Sequence, residues 1–118
     1  MYIPHKRDII SINFDPSSGH EIRKRRPALV ISNSKYSKLT DLVFVCPITH
    51  TEHNYLVKYG LLIKIDSINS NVNGFVNPLQ CHTFDYKYRQ VKFIDKMKKE
   101  NFSKVVRCIK YIINADEK

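Results

Sequence analysis

The sequence has no apolar run approaching the roughly 18–20 residues that cross a bilayer as a helix, so a helical membrane span is excluded. Its N-terminus, Met1-Tyr2-Ile3-Pro4-His5-Lys6-Arg7-Asp8, carries no apolar segment after its charges. It does not read as a secretory signal, and the expected location is cytoplasmic. Cysteine is scarce and unpaired. Cys46, Cys81 and Cys108 lie far apart and none sits in a C-x-x-C pair. Neither a disulfide framework nor a thiolate zinc site is expected, and all three read as small apolar packers. Internal repeats and low-complexity linkers are also lacking, which leaves one domain over 1–118.

What the sequence does have is positive charge. The formal net charge is +9 and the pI about 9.6, so nucleic acid is the first partner to consider. The charge clusters in Arg23-Lys24-Arg25-Arg26 and again between Lys87 and Lys110. Such a block is commonly a solvated loop, but this first one runs directly into a strand signal.

Ile9 to Phe14 alternates and is β-branched, so it reads as a strand, closed by the turn chemistry of Asp15-Pro16-Ser17-Ser18-Gly19. Ala28 to Ser32 and Leu42 to Cys46 read as buried strands, with Pro47 tolerable only at an edge or bulge. Asn33 to Asp41 is polar and loop-like, with room for a short helical turn. Tyr55 to Ile65 could form a strand or hairpin arm, and Phe75 to Thr83 a strand broken by Pro78. The period then changes. Phe102, Val105, Val106, Ile109, Ile112 and Ile113 recur at three- and four-residue steps, the apolar face of an amphipathic helix. Short strands followed by one helix give a mainly β, α+β fold: a small antiparallel barrel with a C-terminal helix packed on it.

Several fragments, in order, are similar to the MazF/PemK family of toxins from type II toxin–antitoxin systems. They are Arg7-Asp8-Ile9-Ile10, Asn13-Phe14-Asp15-Pro16, Gly19-His20-Glu21, Arg26-Pro27-Ala28-Leu29-Val30-Ile31-Ser32, Val45-Cys46-Pro47-Ile48-Thr49, Asn73-Gly74-Phe75-Val76, and Gln80 in the slot of a D-Q-x-R-[ST] segment. The resemblance implies an SH3-like barrel of the CcdB/MazF/PemK type and a homodimer. It implies sequence-specific cleavage of single-stranded mRNA that inhibits growth, with no cofactor. It also implies a MazE/PemI-like antitoxin whose tail covers the RNA groove. Arg26 and Thr49 would be the catalytic pair, and Gly19 and Glu21 would belong to a loop beside them. The chain departs from the family where Arg7 replaces the usual Gly before Asp, where Leu79 replaces the acidic residue before Gln, and where His82 replaces a cation two residues after it.

The chemistry supports those assignments. RNA cleavage without a metal uses the ribose 2′-OH as nucleophile and leaves a 2′,3′-cyclic phosphate and a 5′-OH. It needs in-line geometry, proton transfer and cations for the phosphorane. Arg26 supplies a cation with planar donors matched to phosphate oxygens, and Pro27 stiffens the chain behind it. The Thr49 hydroxyl can bond the scissile phosphate, although a turn cap is the simpler use of such a residue. Arg23, Lys24, Arg25, Gln80 and His82 are candidates for RNA binding or loop support. His20 and His82 are candidate proton shuttles by position. His50-x-x-His53 is a weak metal signal and no metal site is expected. Phe84, Tyr86 and Tyr88, interleaved with Lys87 and Arg89, either stack bases or pack the fold.

Three alternatives remain on sequence grounds: a family member that binds RNA or antitoxin without cutting, a gyrase-poison-like barrel that binds protein, and a plain nucleic-acid-binding barrel.

Overall fold

The computed structural model describes residues 1–14, 25–50 and 59–117. The described elements run β1 (Asp8–Asn13), β2 (Arg25–Val30), α1 (Ser34–Thr40), β3 (Leu42–Thr49), β4 (Ile63–Lys64), β5 (Phe75–Val76), β6 (His82–Asp85), β7 (Lys92–Lys96) and α2 (Lys99–Asn114). The strands are antiparallel in the order β4-β5-β3-β2-β1-β7, with β6 also on β3. This is a curled half-barrel with a C-terminal helix, as the sequence led one to expect.

Strand alternation divides the interior in two. Ile9, Leu29 and Cys46 face α2, where they pack with Ile48, Val76, Met97, Phe102, Val105 and Ile109. Their neighbours Ile10, Ile12, Ala28, Val30, Val43 and Val45 point the other way and pack with Tyr86. Near-complete burial of such side chains contributes about 1.5–3 kcal/mol each for the larger ones, and this two-faced burial holds β1, β2 and β3 as one rigid unit.

The structure sharpens several local readings. The short helical turn allowed in 33–41 is the helix α1, Ser34–Thr40, which the Asn33 side chain caps by accepting the Tyr36 amide. Pro47 sits inside β3, which runs on to Thr49. It stands where the outer edge of β3 passes from β6, paired through Leu42–Val45, to β5, paired through Ile48–Thr49, so the ladder is already interrupted there. The Phe75–Thr83 stretch is two strands, with the Asn77–Gln80 turn between them. β7 carried no alternating apolar signal and was not expected; it is recruited by pairing with β1. The apolar stripe of α2 is buried only as far as Ile109, whereas Ile112 and Ile113 are 54% and 74% exposed.

Arg7 adopts φ 78°, a left-handed conformation that glycine takes without strain and that other residues adopt uncommonly. Arg7 is held there by its amide on the Val30 carbonyl and its guanidinium on the Met97 carbonyl. Next to it the buried Asp8 carboxylate accepts the Tyr2 hydroxyl and pairs with Lys96 at 2.7 Å. No described helix is long and apolar enough to cross a membrane.

Candidate functional site

The face formed by Ala28, Val30, Val43 and Val45 does not end in solvent as a smooth edge. The β2–β3 ladder closes at Ala28↔Pro47, and two more steps in the same register set Arg26 opposite Thr49. Alternation then puts Arg26 in the row of Ala28 and Val30, and Thr49 in the row of Val45 and Pro47. A cleft of about 670 Å³ opens at this point. Phe14, Arg26, Pro27, Pro47, Thr49, His50, Asn77, Gln80 and His82 line it, with Arg25. The apolar core thus continues directly into the candidate site, and the strands that bury it also aim Arg26 and Thr49.

Arg26 is exposed and its side chain makes no hydrogen bond or ion pair among the described residues, so its guanidinium is available to an anion. Arg25 behaves differently. Its guanidinium donates to the Ser11 hydroxyl at 3.0 Å, the Ser11 carbonyl at 2.8 Å and the Gln90 carbonyl at 2.5 Å. Burial lowers its pKa from the usual arginine value. Of the two roles considered for Arg25, this geometry favours support: it ties β2 to β1 and to the turn before β7, which braces its neighbour Arg26.

Gln80 reaches the cleft from the Asn77–Gln80 turn. That turn is docked on β3 by the Asn77 amide on the Pro47 carbonyl at 2.9 Å, and the Asn77 side chain accepts the Leu79 amide. Leu79 itself is 40% exposed and is not among the cleft residues.

His82 pairs with Val45 in the ladder and stacks on Phe84 with ring centroids 5.4 Å apart at 7°. Phe14 meets both rings edge-on at 5.6 and 5.3 Å. Arg89 lies over Phe84 at 4.2 Å and donates to the Asn13 and Phe14 carbonyls. The result is a fixed aromatic wall at one end of the cleft. Of the other aromatics considered for stacking, Tyr86 is buried core, Tyr88 is exposed outside the cleft, and Lys87 pairs with Asp41 at 3.1 Å.

Gly19, His20, Glu21, Arg23, Lys24 and His53 lie outside the described residues. Among the described residues no group of three His, Cys, Asp or Glu could hold a metal. Sequence reasoning passed over His50 and Asn77 as site residues. The available signal for His50 was its position immediately after Thr49. His50 also lines a second, adjoining cleft of about 410 Å³ with Arg25, Arg26, Asn71 and Asn73.

The molecule is a basic, curled half-barrel with an exposed arginine and a threonine hydroxyl in one cleft at the mouth of its core, groups whose chemistry suits a phosphate. The comparisons give its family. Residues 5–113 match the family described as PemK-like, MazF-like toxins of type II toxin–antitoxin systems, and the chain belongs to that family. It is 26% identical to endoribonuclease PemK of Escherichia coli over 106 residues, covering 90% of this chain and 79% of PemK. It is 34% identical to endoribonuclease toxin ChpB of Escherichia coli (strain K12) over 88 residues, or 74% of each chain. Its fold matches the MazE–MazF crystal structure from Deinococcus radiodurans with a TM-score of 0.80 at 22% identity, over 98% of this chain and 100% of that one.

Proposed function

We propose that this chain is the toxin of a type II toxin–antitoxin pair: an endoribonuclease, one domain over 1–118, that cuts single-stranded mRNA without a metal. The 2′-oxygen attacks phosphorus, the bond to the 5′-oxygen breaks, and the products carry a 2′,3′-cyclic phosphate and a 5′-OH. The observation that carries this reading is the convergence of Arg26 and Thr49, on facing strands, in one cleft with Gln80 and His82.

Arg26 stabilises the phosphorane, where the charge on the non-bridging oxygens is greatest, and the Thr49 hydroxyl fixes the scissile phosphate. Gln80 and Asn77 supply donors and acceptors along the strand being cut. The His82–Phe84–Phe14 wall suits a neighbouring base, since stacking on aromatic rings tolerates any base. PemK and ChpB are named endoribonucleases, and the Deinococcus fold neighbour was solved with MazE. By the same likeness, a MazE/PemI-like antitoxin covers this cleft, the toxin is a homodimer, and it works in the cytoplasm.

The test is incubation of the chain with a long single-stranded RNA in EDTA, followed by mapping of the ends. Discrete cuts with 5′-OH ends, lost in Arg26→Ala and Thr49→Ala, are expected. Intact RNA in the presence of folded protein would favour a member that binds RNA or protein without cutting.

A further inference from the structure

The cleft is rich in groups that donate hydrogen bonds and poor in groups that take a proton. Among its described lining residues there is no Asp, Glu, Lys, Tyr or Cys. A guanidinium offers no acceptor, and the side chains of Thr49, Asn77 and Gln80 are too weakly basic to deprotonate an alcohol. Attack by a 2′-OH nevertheless requires that its proton go somewhere. Among the described lining residues, the imidazoles of His50 and His82 are the groups of a class that can accept it.

The structure separates these two. His82 faces Val45, four strand residues before Thr49, and four residues of β-strand span about 13 Å. Its ring is also committed to the stack with Phe84 and the edge contact with Phe14. It therefore belongs about two nucleotides' reach from the Arg26–Thr49 pair at most, on the wall and not at the bond being broken. His50 directly follows Thr49, borders the same cleft as Arg26 and Thr49, and also borders the adjoining one. Its ring is seated against Gly74: Nδ1 lies 3.3 Å from the point where a Cβ on that residue would stand. The charged groups that share the two clefts with it, among the described residues, are Arg25 of β2, tied to Ser11 and Gln90, and Arg26. Asn71 and Asn73, on the approach to β5, add no charge.

We infer that His50 is the general base of the cleavage reaction, taking the proton from the 2′-OH while Arg26 and Thr49 hold the phosphate. The inference rests on the ribonuclease reading given above. In the step, the 2′-O–P bond forms and the P–O5′ bond breaks. The 2′-OH proton passes to an imidazole nitrogen of His50, and the departing 5′-oxygen takes a proton from water in the open cleft. His50 then releases its proton to solvent, which restores the enzyme.

The experiment is single-turnover cleavage at saturating RNA in EDTA, from pH 5 to pH 9, for the native chain, His50→Ala and His50→Gln, with RNA affinity measured in parallel. His50 is exposed, so neither substitution opens a cavity, and thermal melting of each variant verifies the fold. A general base contributes about 10²–10⁴-fold, so a loss of that size is expected at pH 7, with affinity changed less than about threefold. The native rate should fall on the acid side, that limb should vanish in both variants, and added imidazole should restore His50→Ala in proportion to its neutral form. A His50→Ala protein that keeps the native rate and pH profile, while Arg26→Ala is dead, overturns the inference and leaves the ribonuclease reading intact. A native chain that cuts no RNA removes both.

Discussion

Gly74 and Thr49 approach so closely that a Cβ on Gly74 would lie 2.5 Å from the Thr49 carbonyl oxygen. Gly74 also holds φ +123°, a conformation that side chains rarely adopt. Its carbonyl accepts the Ile65 amide, so the backbone cannot swing away without cost. The residue is a backbone spacer that seats β5 against the end of β3, beneath Thr49 and His50. Gly74→Ala is expected to destabilise the fold by about 2–3 kcal/mol and to slow RNA cleavage by displacing both side chains. Urea denaturation and the cleavage rate, measured together, check this; unchanged values of both would contradict it.

Arg26 has no described partner, so its replacement should leave the fold intact and remove only chemistry. Arg26→Ala should lower the cleavage rate about 10²–10³-fold with a melting temperature within a few degrees of the native one. Arg26→Lys keeps the charge but loses the planar fork of donors, and should recover RNA binding more fully than turnover.

The aromatic wall should reveal itself in affinity. His82→Ala removes a ring that lines the cleft, and Phe84→Ala removes the ring that His82 stacks on. RNA binding should weaken by about 1–3 kcal/mol, with KM rising more than kcat falls. A uniform loss of kcat with unchanged KM would argue for a chemical role in place of a binding one.

Asp95 anchors the far side of the site. It is fully buried and accepts the amides of Asn69, Asn71 and Lys96, the last at 2.7 Å. Burial alone would raise its pKa, yet the amides of Asn71, Lys96 and Asn69 together bring it below the usual aspartate value. A carboxyl whose folded pKa lies below its unfolded value stabilises the protein above the unfolded pKa, near 3.9, and that stability is lost as pH falls through the folded pKa. Asp95→Asn should therefore cost about 2–3 kcal/mol at neutral pH. The gap from the native protein should narrow only below about pH 4, as denaturant midpoints across pH would record.

Cys46 and Cys81 stand opposite one another beyond the last β3–β6 pair, with their sulfurs 3.7 Å apart. Cys46 is buried and Cys81 exposed. Burial, then the neighbouring Cys81, pushes the Cys46 thiol far above its ordinary range, so it stays protonated and unreactive. Iodoacetamide at pH 8 should label Cys81 in the folded protein and reach Cys46 only on unfolding, as mass spectrometry of timed digests would record.

Much of this was legible in the residue order. Alternation in Ile9–Phe14, Ala28–Ser32 and Leu42–Cys46 and the three-four spacing of α2 specify strands and a helix, because period is a local property of the chain. The motifs around Arg26 and Thr49 also singled out two residues that the fold brings to one cleft. What the order of residues left undecided depends on contacts between distant segments. β7 forms because β1 offers it an edge, and Pro47 is accommodated because β3 changes partners beside it. Arg25 and Arg26 are neighbours of one type that both border the cleft, yet contacts with Ser11 and Gln90 tie down the Arg25 guanidinium and leave that of Arg26 exposed. The sequence singled out His82 and passed over His50; the stack on Phe84 and the seat against Gly74 distinguish them differently, since only packing across strands fixes where an imidazole stands.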